Sequence, residues 1–264
     1  MKQALFLVLA GLIGRPLAAQ VDISALVFNR TFLLQESIPV RFTIENNSGE
    51  TLRLGGGDAN GILRVSVTNL RLQLVRRTGV PLLSEPWIIP SGTRDTREFD
   101  LADVFQFSSA ESYRASLILY AFDDAWEIPP YQFELVNGQL IERIRRRNRD
   151  RSFQLRKINR NNVNELLLQV KNFQESRILA TYELDQVLMF FPPEMRIDSQ
   201  GFIHILFYKF AELLVYARFT PDGEPELLEY IDPMGRRPQL TAHEEFGFWV
   251  PEGRVLEREP EARP

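Results

Sequence analysis

The sequence predicts an all-β protein with an N-terminal antiparallel sandwich and a smaller C-terminal antiparallel β-meander domain. Apolar side chains recur mostly with a period of two, and clusters of turn residues separate the apolar runs. Hydrophobic residues make up 44% of the chain and aromatic residues 11%, which indicates packed cores rather than disorder. The predicted order is a leader (1–19), a sandwich (20–138), a linker (139–151), a meander domain (152–253) and a disordered tail (254–264).

Residues 1–19 have the pattern of a secretory signal peptide. A positive start precedes an apolar run over residues 4–13 and a mostly small-residue exit that ends at Ala19. The apolar run is too short to span a bilayer stably, and Arg15 and Pro16 follow it. We expect cleavage after Ala19, a secreted or periplasmic location and no membrane-spanning segment.

Charge and composition exclude several classes of function. The formal net charge of −4 becomes −6 when Lys2 and Arg15 leave with the signal, so nucleic acid is not an expected partner. The absence of cysteine excludes thiolate chemistry, cysteine metal sites and disulfides. Because His204 and His243 are the only histidines, a histidine-rich metal site is excluded as well. We expect no cofactor.

Strands in the first domain are predicted from alternation. Residues 37–48 alternate apolar and polar side chains and end in turn residues. Over residues 63–74 the apolar positions change from odd to even, which predicts a bulge or bend near Thr68 and Asn69, since half of these side chains would otherwise face water. Two further alternating runs begin at Tyr113 and Tyr131.

Residues 21–138 resemble an immunoglobulin-like or fibronectin-type module. Tyr113 opens a predicted strand, and Ala115 lies two residues later, where immunoglobulin domains carry their second cysteine. The cysteine pair itself is absent. The resemblance implies a two-sheet sandwich with Tyr113 buried, and it implies no particular function, because such modules serve adhesion, spacing and ligand binding alike.

An arginine-rich segment over residues 139–151 predicts a boundary between domains. It could bind anions such as phosphate, acidic glycans or lipid headgroups. The interpretation that we favour is a solvated linker whose charges face water or acidic residues such as Asp222. The candidate anion-binding residues are Arg143, Arg145, Arg146, Arg147, Arg149 and Arg151.

The second domain contains a stretch, residues 195–231, that resembles a blade of a sialidase-type β-propeller. The resemblance lies in the turn from Asp198 to Gly201, in a strand carrying His204, and in a following strand that contains Val215, Tyr216, Ala217 and Arg218. Residues 164–184 could form a second blade. About 100 residues cannot close a ring of blades, so we expect meanders packed on each other or on the first domain.

Candidate chemistry is sparse, because no nucleophile elbow, phosphate loop or zinc-helix motif is present. His204 lies in an alternating apolar strand, so we predict a packed structural histidine rather than a catalytic base. Calcium could bind near residues 123–127 or in the loop 55–61, but neither has a calcium-loop spacing, and ordinary turns are preferred. Tryptophans could line a sugar-binding surface, although packing is their usual role.

These patterns favour a non-enzymatic binding, adhesion or assembly module whose partner is an unknown protein or a glycan. The alternative is a carbohydrate-binding or accessory protein of a polysaccharide-degrading system. A proteinase inhibitor is a third possibility, without a recognisable reactive loop. Converging carboxylates in a cleft would favour an enzyme, whereas an open strand edge or an apolar patch would favour an interaction protein.

Overall fold

The computed structural model describes residues 20–27, 29–145, 151–172, 174, 177–235, 237–243, 247–251 and 253–256. These residues form several mainly antiparallel sheets and one four-residue helix, so the predicted all-β fold is confirmed. Among them, no helix has the length and apolar character needed to cross a bilayer.

The N-terminal unit contains nine strands and the helix α1. They are β1 (Gln20–Val27), β2 (Thr31–Leu33), β3 (Pro39–Asn47), β4 (Leu52–Leu54), β5 (Gly61–Asn69), β6 (Trp87–Ile89), β7 (Thr93–Asp100), α1 (Leu101–Val104), β8 (Ser112–Ala121) and β9 (Asp124–Val136). One sheet has the order β1-β3-β7, and the other has the order β2-β9-β8-β5-β4-β6.

The two N-terminal sheets share one core, which is the arrangement of a β-sandwich. In β3 every second side chain is buried, as its alternation predicts. Phe42 from one sheet and Tyr113 from the other belong to the same buried cluster, and Tyr113 is only 3% exposed. The chain changes sheets between β1, antiparallel to β3, and β2, parallel to β9.

The predicted bend after β5 is present, but its expected consequence is wrong. Asn69 accepts a hydrogen bond from the amide of Leu72, whose φ is +61°, and the chain turns back on itself. Leu70, Leu72 and Leu74 are all at least 70% exposed. The turn therefore redirects the backbone without returning these leucines to the core.

The C-terminal unit contains the remaining eleven strands. They are β10 (Gln139–Arg145), β11 (Arg151–Arg160), β12 (Val163–Asn172), β13 (Ile178–Gln186), β14 (Glu194–Ile197), β15 (Ile203–Phe210), β16 (Leu213–Phe219), β17 (Pro225–Asp232), β18 (Thr241–His243), β19 (Gly247–Trp249) and β20 (Arg254–Leu256). Their sheets have the orders β10-β11-β12-β13, β14-β15-β16-β17-β20 and β18-β19.

The two larger C-terminal sheets are antiparallel meanders that pack face to face. Phe153 and Leu168 from one sheet and Ile205 and Val215 from the other share a buried cluster. The turns expected at residues 198–201 and 222–223 are both present, and each is closed by a hydrogen bond that a glycine amide donates to a carbonyl oxygen three residues earlier. Packing of the two sheets on each other is one of the two arrangements that the sequence analysis left open.

Two sequence-based boundaries require correction. Residues 139–145 were expected in a linker, but they form β10, which pairs with β11 through an antiparallel register. Residues 254–256 were expected in a disordered tail, but they form β20, which pairs with β17. In both segments, backbone pairing with a neighbouring strand outweighs a composition rich in charge. Residues 146–150 and 257–264 lie outside the described residues.

The C-terminal unit docks on the N-terminal unit through the outer face of its first sheet. Leu33 at the end of β2 packs with Ile158 and Leu167 in a small buried cluster. Adjacent residues of β12 serve opposite faces, because Leu166 and Leu168 belong to the C-terminal core whereas Leu167 faces the junction. This strand is therefore buried on both faces, which ties the two units together.

Candidate functional site

A groove of about 670 Å³ lies at the junction of the two units, beside the docked faces. One wall is formed by residues 35–38 and by helix α1 with the segment after it, and the opposite wall by residues 177–181, at the start of β13. Such a volume is within the usual range for binding sites, which are commonly found where domains meet. The groove is therefore the principal candidate site.

Beside the groove, a buried guanidinium joins three segments of the chain. Arg160, at the end of β11, is 2% exposed and donates through Nε to the carbonyl oxygen of Thr31 at 2.8 Å. Its other nitrogens pair with the carboxylates of Glu36, Glu165 and Glu183. Because Glu36 belongs to the N-terminal unit, this Arg160 cluster links both units through ion pairs.

The Arg160 cluster holds more negative than positive charge. Burial raises the pKa of Glu36 to about 7, although Arg160 and the amide of Leu33 favour its ionised form. Burial also opposes the charge of Arg160, but its carboxylate partners raise the pKa of the guanidinium. Burial of Glu36 is therefore the main reason that this carboxyl group holds a proton up to about pH 7, and the nearby carboxylate of Glu183 adds a smaller effect in the same direction.

A second buried polar cluster lies inside the C-terminal unit, around His204. The imidazole is fully buried, with Nδ1 2.8 Å from the hydroxyl of Tyr216 and Nε2 3.2 Å from Oδ2 of Asp198. Since a carboxylate only accepts, Nε2 carries the proton and Nδ1 accepts from Tyr216. Oδ1 of Asp198 accepts from the amides of Gly201 and Phe202, which fixes the turn.

The His204 cluster is suited to structural hydrogen bonding. Burial lowers the pKa of His204, so the imidazole is neutral, and burial raises the pKa of Tyr216 to about 12, so the phenol stays protonated. Phe248 packs edge-on against the His204 ring, and a Cβ at Gly247 would lie 2.3 Å from Asp198. The cluster thus positions the hairpin of β18 and β19 against the sheet.

The candidate arginines do not form one site among the described residues. Arg143 is exposed on β10, and Arg145 lies at the end of the same strand. Arg151 begins β11, donates to the carbonyl of Asp222 and lies 3.8 Å from its carboxylate, which agrees with the expected pairing to acidic residues. The other three residues, Arg146, Arg147 and Arg149, lie outside the described part of the chain.

The two calcium candidates lie at one end of the N-terminal sandwich, where they border the same cavity. The side chain of Asn60 is already engaged by the backbone of Arg53 and Thr51, and Asp58 faces Arg53 at 3.6 Å. Within the described residues, no group of three or more acidic, histidine or cysteine side chains is arranged to hold a metal. These contacts are those of ordinary turns.

The three tryptophans do not form a common surface. Trp87 is fully buried and donates from Nε1 to Asp95 at 2.8 Å. Trp126 packs against the N-terminal core, whereas Trp249 is 45% exposed and lies edge-on to His243. Each tryptophan therefore has a separate local environment.

Sequence reasoning missed the junction groove and the Arg160 cluster. Glu36 and Arg160 are separated by 124 residues along the chain, and neither belongs to a recognisable motif. The nearest signal was an arginine at the end of a strand, followed by a two-asparagine turn. No protein-family model matches the chain, and a search of curated proteins also gave no match.

Proposed function

We propose that this chain is an exported, non-enzymatic binding or assembly module that holds a partner in the junction groove. The groove itself is the observation that carries the proposal. Two units that are docked by a shared apolar cluster and by buried ion pairs keep its walls at a fixed separation. A preorganised groove loses little conformational entropy when a partner binds.

The proposal includes an immunoglobulin-like N-terminal unit. Its support is that the chain begins in one sheet with β1 and passes to the other sheet with β2, together with the environment of Tyr113. The hydroxyl of Tyr113 donates to the carbonyl of Ser109 at 2.9 Å, four residues upstream and just before β8. This contact is similar to the tyrosine corner of immunoglobulin domains. The face-to-face meanders similarly support blade-like C-terminal sheets.

Site-specific photo-crosslinking in the native host tests the binding role. A benzophenone amino acid at Leu179, which lines the groove, should give a discrete crosslinked partner. The matched control is the same substitution at Ile62, another exposed apolar residue that lies in the N-terminal unit. Equal crosslinking at the two positions, or none at Leu179, would contradict a partner in the groove.

Export is tested separately by intact-mass analysis of protein from the same host. The signal pattern predicts a mature chain that begins at Gln20. A cytoplasmic chain that retains residues 1–19 would overturn the proposed location while leaving the groove proposal open to its own test.

A further inference from the structure

The start of β13 is an uncharged sheet edge inside the junction groove. β13 pairs with β12 on one side only, and residues 178–181, with the sequence Ile-Leu-Ala-Thr, line the groove. The edge strand β7 differs, since five of its eight residues are charged. Charged residues on an edge discourage pairing with other strands. Residues 178–181 of β13 carry no charge where they face the groove, and a bulge at Leu179 separates Ile178 from the regular pairing that resumes at Ala180.

Backbone groups of β13 point into the groove. The amide of Asn172 donates to the carbonyl of Arg177, so the backbone groups of every second β12 residue face β13. By this alternation Val170 and Leu168 bond to β13, and Thr181, which lies opposite Gln169, directs its N–H and C=O away from β12. Thr181 therefore offers one donor and one acceptor to the groove.

A side chain already imitates a neighbouring strand at one end of this edge. The amide of Ile178 donates to Oε1 of Gln35, across the junction, at 3.3 Å. The side-chain carbonyl of Gln35 thus occupies the place where the backbone carbonyl of an added strand would lie. This contact marks the end of the open edge and leaves Thr181 as its bonding position.

We propose that the groove binds an extended peptide segment of a protein partner, which pairs with β13 at Thr181 as an added strand. This inference rests on the proposed binding function and names the kind of partner. The amide of Ile178 is already bonded to Gln35, and the register shift beside it leaves Leu179 as a bulge, so the pairing is short and confined to the residues around Thr181. Main-chain bonds supply affinity in such complexes, and side-chain pockets supply specificity.

The lining of the groove selects the side chains of that segment. The partly buried Phe107 and the exposed Leu179 provide an apolar surface, which suits an aliphatic side chain. Asp103 on α1 is exposed, and no described side chain forms an ion pair with its carboxylate. The exposed Arg177 also lines the groove, but it lies next to Ile178, at the end of the edge that Gln35 already occupies. Away from that end, Asp103 favours a lysine or arginine of the peptide. The preferred ligand is therefore an extended strand that alternates aliphatic and basic residues.

The test uses a fluorescein-labelled octapeptide of alternating valine and lysine, with binding measured by fluorescence anisotropy. The same peptide with alternate amides N-methylated keeps its side chains but loses donors that strand pairing requires. We expect at least a tenfold weaker affinity for the methylated peptide, and weaker binding for a valine–glutamate peptide. Equal affinity for all three peptides, or no binding by any, would overturn the proposal.

Matched variants at Thr181 locate the bond on the protein. Thr181→Pro removes the outward amide, and proline is tolerated at an edge when its nitrogen faces away from the sheet. Thr181→Val keeps the amide and the shape of the side chain. We expect a tenfold loss for the proline variant, with little change for the valine variant, provided that circular dichroism shows both to be folded. The N-methylated peptide tests the same bond on the parent protein.

The photo-crosslinking experiment distinguishes failure of strand addition from failure of the proposed binding function. If the partner crosslinks at Leu179 in the parent, the groove binds a protein. Loss of that crosslink in Thr181→Pro and its retention in Thr181→Val would support strand addition. Full retention in Thr181→Pro would overturn strand addition while leaving the binding function in place, and absence of any crosslink in the parent would contradict both.

Discussion

The two buried polar clusters stabilise different parts of the molecule and differ in their balance of charge. The His204 cluster lies within one unit, its imidazole is neutral, and its hydrogen-bonding groups lie within twenty residues of one another except for the contact with the hairpin of β18 and β19. The Arg160 cluster joins segments more than 100 residues apart and gathers three carboxyl groups around one guanidinium. The His204 cluster is held by hydrogen bonds between neutral donors and their acceptors, together with the carboxylate of Asp198. The Arg160 cluster is held mainly by attraction between the guanidinium and the carboxylates.

Burial shifts the pKa of the titratable group in opposite directions in the two clusters. It raises the pKa of the acid Glu36 and lowers the pKa of the base His204, since both environments disfavour the charged form. The junction between the units should therefore respond to pH and to loss of charge differently from the interior of the C-terminal unit. Three experiments test this difference, and a fourth concerns the exposed Arg143 on β10.

Replacing Arg160 by alanine should have the largest effect. The substitution leaves Glu36 buried without its cation, which typically lowers the free energy of unfolding by about 3 to 5 kcal/mol. Urea denaturation followed by far-ultraviolet circular dichroism measures the loss. The control is Arg41→Ala, which breaks an exposed pair with Glu98 and should cost about 0 to 1 kcal/mol. Equal losses in both variants would show that the buried cation does not stabilise the junction.

The pH dependence of unfolding should distinguish the clusters next. Glu36 has a pKa of about 7 in the folded protein and 4.5 as its reference value, so the native state holds an extra proton between these values. Its contribution to stability should decline by up to about 3 kcal/mol as pH rises through this window. His204 acts in the opposite direction, because its lowered pKa favours stability as pH rises toward 6.5.

The Glu36→Gln variant isolates the contribution of Glu36 to the pH dependence of unfolding. The variant should lack the decline between pH 4.5 and 7, so the difference from the parent should change across that window. The sign matters, because a parent protein that gained stability relative to Glu36→Gln over this range would show that Glu36 is ionised there. Such a result would contradict the proposed proton within the cluster.

Tyr216→Phe should have a smaller effect confined to the C-terminal unit. The change removes the donor to Nδ1 of His204 and leaves a buried acceptor unsatisfied, which costs about 1 to 3 kcal/mol. Tyr120→Phe is a suitable control, because Tyr120 is 37% exposed. Urea unfolding of both variants provides the comparison, and an unchanged midpoint for Tyr216→Phe would indicate that water replaces the lost donor.

Arg143→Gln should have the smallest effect. Arg143 is exposed on β10, so its replacement should change the free energy of unfolding by less than about 0.5 kcal/mol. Binding of the parent to anionic vesicles should also be weak and unaltered by the substitution. Strong, salt-sensitive vesicle binding that the variant loses would instead support the anion-binding interpretation of the arginine-rich segment.

Local patterns predicted the elements whose determinants lie close together in sequence. The alternation in β3, the burial of Tyr113 and the turn begun by Asp198 depend on residue spacing and turn chemistry, and all three are present. Composition was less reliable for β10, where a high density of arginine suggested a linker but pairing with β11 provides the structure. Its bulge also interrupts the simple alternation that would identify a strand.

The candidate site could not be predicted in the same way, because its parts meet only in three dimensions. The groove combines the loop at Glu36, the helix α1 and the edge of β13, which are far apart in the sequence. Periodicity gives the faces of each element but not the partner that each face meets. The exposed leucines 70, 72 and 74 show the same limit, since their apolar character alone predicted burial.

Gly138 connects the two units directly and limits where the chain can be cut into separate parts. Gly138 has a φ of +63°, and a Cβ there would lie 2.6 Å from the side chain of Leu33 and 3.1 Å from the carbonyl of Lys157. Only two residues separate β9 from β10, so no slack exists to absorb a side chain. The two units therefore cannot be separated here without loss of buried contacts. A C-terminal unit expressed without the residues before Gly138 would expose Ile158 and Leu167 to water.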